Sequence, residues 1–153
     1  MKRFTAALLL LCAFSAHAGV AMHVASHSFE IGSNSFLYCF LSTASANLEP
    51  KGWGTRFPVL MRKFHGGTVS LPDLSKLHDE LSIIHAELKK YPPSKVVWNF
   101  EHREIRPPWG DNISKQITDL SNYFVTSDGK DIFEVFSAAI TEAERAKSSI
   151  DIE

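Results

Sequence analysis

The 153-residue sequence is poor in cysteine and has no long apolar or basic run. One of its two cysteines, Cys12, lies in an N-terminal segment that resembles an export signal, so Cys39 is the only thiol left after cleavage. A single cysteine excludes an internal disulfide, and the apolar core has to stabilise the domain. No apolar run reaches the roughly 20 residues of a membrane-spanning helix. We therefore expect no stable membrane insertion after the signal is removed.

The sequence also lacks a concentration of positive charge. Without residues 1–18 it has 14 Lys and Arg against 17 Asp and Glu, a net charge of −3 with neutral histidines, and no Lys/Arg run exceeds two residues. Nucleic-acid binding needs a clustered positive surface. This composition argues against nucleic acid as the partner.

The N-terminal segment has the three parts of a secretory signal. Lys2 and Arg3 give a positive start, residues 5–14 are mostly apolar, and residues 16–18 supply small side chains at a cleavage point. We predict cleavage after Ala18, a mature domain at residues 19–153, and a location in the periplasm or outside the cell. The alternative is translation from Met22, which places the protein in the cytoplasm.

Catalytic and metal-binding signatures are also missing. There is no HExxH, CxxC, G-x-S-x-G or phosphate-binding loop. If the region is extended, His23 and His27 lie about 13 Å apart. His78 and His85 are about 10 Å apart along a helix, so neither pair is expected to bind one metal ion unaided. We predict no metal, no cofactor and no catalytic residue, and we interpret Cys39 as a packing residue.

The hydrophobic pattern predicts an α+β fold: a single domain with a small, mostly antiparallel sheet packed against about three helices. Residues 20–31 alternate, with a phase change near Ala25, as one bulged strand or a short hairpin. Helices are predicted from about 35 to 48, from a Ser70 cap to Pro92, and from about 132 to 147. Strands are predicted at 94–101 and, more briefly, at 122–126, and the tail from 149 forms a final edge strand.

The loop "RPPWGDNISKQITDL", residues 106–120, is the most unusual stretch of the sequence. Trp109 is either a core residue whose indole fixes the loop or an exposed anchor for a partner. Asp111 is placed to bond nearby backbone amides. The carboxylates in and near this loop also suggest an alternative, a small exported hydrolase that uses loop carboxylates and histidines. These carboxylates are Glu101, Glu104, Asp111 and Asp119.

The stretches "SKVVWNFE", "PPWGDNIS" and "TDLSNYFVTSDGKDIFEVF" resemble the immunity protein 70 family. The resemblance extends back through "KGWGTRFPVLM" to "IGSNSFLYCFLSTASANLE" and covers about residues 22–153. Members of this family are regarded as antidotes to the toxins of bacterial polymorphic toxin systems. They generally begin near the position of Met22, so the export signal is an addition in this sequence. The resemblance implies a non-enzymatic protein whose partner is a cognate protein toxin.

An antidote of this kind would cover the toxin's active cleft with a preformed surface. Acidic side chains would speed association and aromatic side chains would slow dissociation. The candidate partner-binding residues are Trp109, Asp111, Asp119 and Asp128. A third possibility is a periplasmic adaptor that dimerises through the apolar seam of residues 74–91, which requires that seam to be exposed.

Overall fold

Four short antiparallel strands form one sheet, on which three helices pack. The computed structural model describes residues 19–153. The strands are β1 (Val20–Val24), β2 (His27–Gly32), β3 (Thr68–Val69) and β4 (Ile150–Ile152), in the order β2-β1-β4-β3. The helices are α1 (Asn34–Leu48), α2 (Leu74–Leu88) and α3 (Ile132–Ala146). The predicted α+β class, with a small antiparallel sheet and about three helices, is confirmed.

The first 30 residues of the described chain follow the sequence pattern closely. The phase change near Ala25 is a hairpin turn, in which Ala25 has a φ of 51°. Of the two predicted alternatives, a bulged strand or a hairpin, the hairpin is observed, with an irregular register between Val20 and Ala21. The side chain of Ser33 then accepts a hydrogen bond from the Phe36 N–H at 3.1 Å and begins α1.

The second helix begins and ends differently from the prediction. Ser70 does not cap it, because its hydroxyl donates to the Asp73 carboxylate at 2.9 Å and a 3-10 turn, Leu71–Asp73, comes first. The helix also ends at Leu88, before the two prolines. Its apolar seam is buried inside the molecule, apart from Tyr91, which is half-buried. The adaptor hypothesis therefore loses the exposed seam that it required.

The strand predicted at residues 94–101 is wrong. A 3-10 turn, Pro93–Lys95, is followed by irregular chain. The backbone N–H and C=O of Val97 both pair with the Thr43 hydroxyl of α1, at 3.0 and 3.2 Å. The Asn47 side chain donates to the Lys95 carbonyl at 3.1 Å. Side chains of α1 therefore occupy the backbone groups that a neighbouring strand would need.

Two further strand predictions need correction. Residues 122–126 contribute only an isolated bridge between Val125 and Asp131, outside the sheet. The C-terminal strand exists, but β4 pairs with β1 on one side and with β3 on the other, so it is an inner strand and not an edge. The two-residue β3 forms the edge on that side of the sheet, and β2 forms the other edge.

The third helix matches the prediction. The Asp131 carboxylate accepts a hydrogen bond from the Phe133 N–H at 2.8 Å at its start, and the helix ends before Lys147, which has a φ of 51°. Among residues 19–153, no helix has the length and apolar character needed to cross a bilayer.

Candidate functional site

Residues 96–131, called the long loop below, form no helix and no strand of the sheet. Loops of this length within a domain are uncommon and are usually functional or disordered. This one is tied to the rest of the fold: Leu120 donates its N–H to the Tyr91 carbonyl at 3.0 Å, and Ser127 donates to the Ile31 carbonyl at 3.1 Å. The long loop is therefore an ordered platform that presents side chains.

Trp109 combines features of its two predicted roles. Its indole Nε1 donates to the Tyr123 hydroxyl at 2.7 Å, and its ring meets Trp98 edge to face with centroids 5.4 Å apart. The side chain is nevertheless only half-buried. Trp109 thus fixes the loop with its polar edge and leaves part of its ring at the surface.

That exposed part borders an apolar groove of about 280 Å³, called the Trp109 groove below. Val125, 47% exposed, is the most accessible large apolar side chain of the long loop and lies in this groove. Burial raises the pKa of Tyr123, which accepts the Trp109 hydrogen bond, so its hydroxyl stays neutral. The groove is lined by Phe36, Trp109, Asn112, Ile113, Ile117, Tyr123 and Val125.

The three candidate aspartates have different surroundings. Asp111 is almost fully exposed and pairs with Arg106 at 3.1 Å, so its side chain does not bond the backbone amides that we predicted. The hydroxyl of Ser121 donates to Asp119 and lowers the pKa of that carboxyl. Asp119 therefore stabilises a turn.

Asp128 lies away from the Trp109 groove. The Thr126 hydroxyl donates to it at 2.6 Å, which lowers its pKa, and Lys130 is 3.3 Å away. It borders a separate groove between β2 and α3. Of the four predicted residues, the structure brings only Trp109 and Asp111 together: each borders a hollow that is also lined by Tyr123.

The carboxylates of the hydrolase alternative are dispersed. Glu101 borders a hollow beside Tyr38, Asp111 borders a different one, and Glu104 is exposed and lies 3.5 Å from His102. Within residues 19–153, no cluster of three His, Cys, Asp or Glu side chains could hold a metal ion. Cys39 is fully buried, and burial raises the pKa of its thiol to about 12. It is a packing residue, as predicted.

A second surface, which the sequence did not reveal, depends on two buried glutamates. Glu49, at the end of α1, is 4% exposed, and its carboxylate accepts the backbone N–H groups of Gly54, Arg56 and Phe57 at 2.9 to 3.0 Å. Hydrogen bonds from these three amides offset the free-energy cost of burying the carboxylate. They also fold the following chain tightly around the carboxylate.

Glu80 of α2 fixes the next part of the same segment. It is 1% exposed and accepts the N–H groups of Val59 and Leu60, at 3.2 and 2.9 Å, where a short π-helical segment (Val59–Phe64) begins. Burial raises the pKa of its carboxyl, and the two amide bonds partly oppose that rise. Residues 49–67 are called the glutamate-anchored segment below.

Side-chain contacts complete this segment. Arg56 makes a two-fold contact with Glu87 of α2, at 2.6 and 2.7 Å. Gly54 has a φ of 71°, which favours glycine, and a Cβ there would lie 2.7 Å from the Nε of Arg62, so that a larger residue would also displace the Arg62 side chain. The Trp53 indole donates to the Met61 carbonyl at 2.9 Å. Trp53 is thereby held in one orientation at the surface.

The ring of Trp53 forms one wall of a hollow of about 310 Å³, called the Trp53 hollow below. Phe100 meets Trp53 edge to face with centroids 5.2 Å apart, and His65 does so at 5.6 Å. Tyr38 of α1 lies 6.0 Å from Trp53. The fifth lining residue is Glu101. The only feature of the sequence that marks this hollow is a tryptophan between two glycines, "GWG", and that pattern predicts a turn.

Comparison with known protein families gives a match between the family described as Immunity protein 70 and residues 22–152. The match spans all three helices, both grooved surfaces and nearly the whole sheet. No curated protein and no solved structure matches the chain.

Proposed function

The chain belongs to the immunity protein 70 family, and on that basis we propose that it binds and neutralises a cognate bacterial toxin by protein–protein contact, without catalysis. The family match over residues 22–152 carries this proposal. The shapes of the surfaces support it, because partly exposed aromatic side chains in shallow apolar grooves are typical of binding hot spots.

The Trp109 groove is the surface we assign to the toxin. An apolar side chain of the toxin inserted beside Trp109 and Val125 would be removed from water on several sides. Because Trp109 is already hydrogen-bonded to Tyr123, binding would order little that is free beforehand. Asp111 borders the neighbouring hollow, and Asp119 and Asp128 add negative charge to the long loop, which would speed encounter with a basic toxin surface.

We further propose that the protein is exported and meets the toxin in the periplasm or outside the cell. The export segment itself, residues 1–18, lies outside the described residues, but the residues just after the predicted cleavage point support this start. Val20 and Ala21 are buried in β1, and Ala21 exchanges two backbone hydrogen bonds with Glu153, at 2.8 and 3.2 Å. A chain that began at Met22 would lose these contacts.

Two purified forms, one beginning at Gly19 and one at Met22, test the start. We expect the Met22 form to unfold at lower urea concentration, with a loss of roughly 3 kcal/mol from one buried valine side chain and two hydrogen bonds. Equal stability of the two forms would remove this support for export. A fusion of residues 1–25 to a reporter that is active only after export then tests the signal directly.

Co-expression with the toxin encoded by the neighbouring gene tests neutralisation. We expect survival only when this protein is present, and a complex of the two proteins on gel filtration. Survival without this protein, together with the absence of a complex, would rule out the pairing.

Two variants test whether the Trp109 groove is the surface used. Val125→Asp places a charge inside the groove, and Ile83→Asp makes the same change at a similarly exposed position on α2, with 47% and 42% of the residue exposed. We expect Val125→Asp to abolish protection and Ile83→Asp to preserve it. Full protection by both variants would exclude the groove.

A further inference from the structure

The Trp53 hollow has the walls of a cation-binding site. Trp53 meets Phe100 at an interplanar angle of 70° and His65 at 66°, so the rings that line the hollow stand at steep angles and do not form one flat surface. Tyr38 adds another wall beside Trp53. Ring faces attract a cation within about 6 Å, and enclosures of several rings bind ammonium and guanidinium groups.

The carboxylate of Glu101 supplies the matching negative charge. It borders the hollow, it is exposed, and it makes no side-chain hydrogen bond or ion pair with any part of the chain that the structure describes. The hollow thus combines aromatic walls with one free negative charge. This combination is complementary to a positive charge on a short apolar stem.

Two walls of the hollow, Trp53 and His65, are also fixed before any partner arrives. Trp53 is held by the Met61 carbonyl, and the glutamate-anchored segment that carries both Trp53 and His65 is held by Glu49 and Glu80. A site whose walls are already in place loses little conformational freedom on binding.

We propose that the Trp53 hollow binds a cationic side chain, a lysine or an arginine, presented by the protein partner. The identity of that partner as a toxin rests on the proposed function, whereas the affinity of the hollow for a cation does not. Trp53, Tyr38 and Phe100 supply the aromatic faces, and Glu101 supplies the counter-charge.

A guanidinium of the chain itself lies over one ring of this cluster, that of Phe100. The Arg103 guanidinium lies 4.7 Å from the centroid of Phe100, while its Nε donates to the Phe100 carbonyl at 3.3 Å. Arg103 does not line the hollow, but its charge is close to it. Its removal should therefore strengthen the binding of an added cation, because a like charge is lost.

The test is a titration of the ¹⁵N-labelled protein with tetramethylammonium chloride, in which NMR spectra follow the chemical shifts of the tryptophan indole N–H groups. The chain has three tryptophans, so Trp53 is identified by the signal that Trp53→Phe removes. tert-Butyl alcohol, which has the same shape without the charge, is the neutral control, and sodium chloride keeps the ionic strength constant. We expect a saturable shift of the Trp53 signal, and at least threefold weaker binding of the alcohol.

Matched variants locate the charge that matters. Glu101→Gln should weaken tetramethylammonium binding at least threefold, whereas Glu104→Gln, the same change three residues away on an exposed side chain, should alter it less than twofold. Arg103→Gln should strengthen it. Equal shifts with the neutral alcohol, no saturation, or equal effects of the two glutamate variants would overturn the proposal.

The titration separates this proposal from the proposed function because it contains no toxin. Saturable cation binding without protection of toxin-producing cells would leave the cation site intact and remove the immunity role. Protection without a saturable shift of the Trp53 signal would remove the cation site and leave the immunity role intact.

Discussion

The Trp109 groove and the Trp53 hollow contain the same kind of anchor fixed in two different ways. In each, a half-buried tryptophan donates its indole N–H, but Trp53 donates to the Met61 backbone carbonyl and Trp109 donates to the Tyr123 side chain. Behind Trp53 lie two buried carboxylates that together accept five backbone amides. Behind Trp109 lies the long loop, without helix or strand.

This difference teaches that rigidity at a surface does not require regular secondary structure directly beneath it. A buried glutamate can fix an irregular segment when each of its oxygens accepts hydrogen bonds from backbone amides. We therefore expect the Trp53 hollow to be the more firmly fixed of the two surfaces and selective for charge, and the Trp109 groove to accept apolar side chains.

The largest expected effect concerns the carboxylates that fix the backbone in the two regions. Glu49→Ala leaves three backbone amides without an acceptor, two of them buried, and we expect a loss of about 3 kcal/mol or more in the free energy of unfolding by urea. Asp119→Ala in the long loop removes only local turn bonds, and we expect about 1 kcal/mol. Similar losses for the two variants would contradict the contrast between the regions.

The two tryptophans allow the same substitution in both places. Trp53→Phe leaves the buried carbonyl of Met61, a residue only 1% exposed, without its indole donor. We expect it to lower the free energy of unfolding by about 1.5 kcal/mol. Trp109→Phe should lower it by about 0.5 kcal/mol, because Tyr123 lines the groove and we expect its hydroxyl to bond water in place of the indole. A larger loss at Trp109 would show that the long loop is the more tightly fixed region.

Charge selectivity can be measured on the complex with the proposed toxin partner. Glu101→Lys should raise the dissociation constant for the toxin at least tenfold, about 1.4 kcal/mol, since it places a positive charge where the hollow receives one. Glu104→Lys makes the same change outside the hollow and should have an effect of less than threefold. Isothermal titration of the two variants distinguishes them, and equal effects would indicate only long-range steering.

The smallest expected effect is a difference in pH dependence. Burial raises the pKa of Glu80, so the folded state binds this proton more readily than the unfolded state. The stability of the wild type relative to Glu80→Gln should therefore increase as pH falls from 7 toward the ordinary pKa of a glutamate.

Asp119 should show the opposite sign. Hydrogen bonds from Ser121 lower its pKa, so its contribution is present above the ordinary pKa of an aspartate and is lost as pH falls through the lowered folded value. Urea unfolding of Asp119→Asn and Glu80→Gln across pH should give difference curves of opposite slope. Parallel curves would mean that the two carboxylates are not in contrasting environments.

The sequence predicted those parts of the fold that depend on local pattern. The hairpin, the three helices and the α+β class follow from periodicity and caps, and Asp131 and Ser33 begin their helices as such residues usually do. The strand predicted at 94–101 is wrong because Val96, Trp98 and Phe100 alternate like a strand, whereas the backbone groups of Lys95 and Val97 bond to side chains of α1. Nothing local in the sequence signals that long-range contact.

The same reason explains why the Trp53 hollow was missed. Glutamates are almost never fully buried unless they are paired, so Glu49 and Glu80 read as surface residues. Their amide partners lie 5 to 8 and about 20 residues away. Trp109 was found because prolines and a glycine made its loop conspicuous, although whether its ring faced the core or the surface depended on Tyr123 and Trp98.

Amide hydrogen exchange, with and without the proposed toxin partner, tests most directly whether the long loop is the toxin-binding surface. We predict slower exchange on binding within residues 98–125 and in the chain around Trp53, with the exposed face of α2 near Ile83 unchanged. Slowing confined to α2, or no change anywhere in the presence of the toxin, would contradict the account.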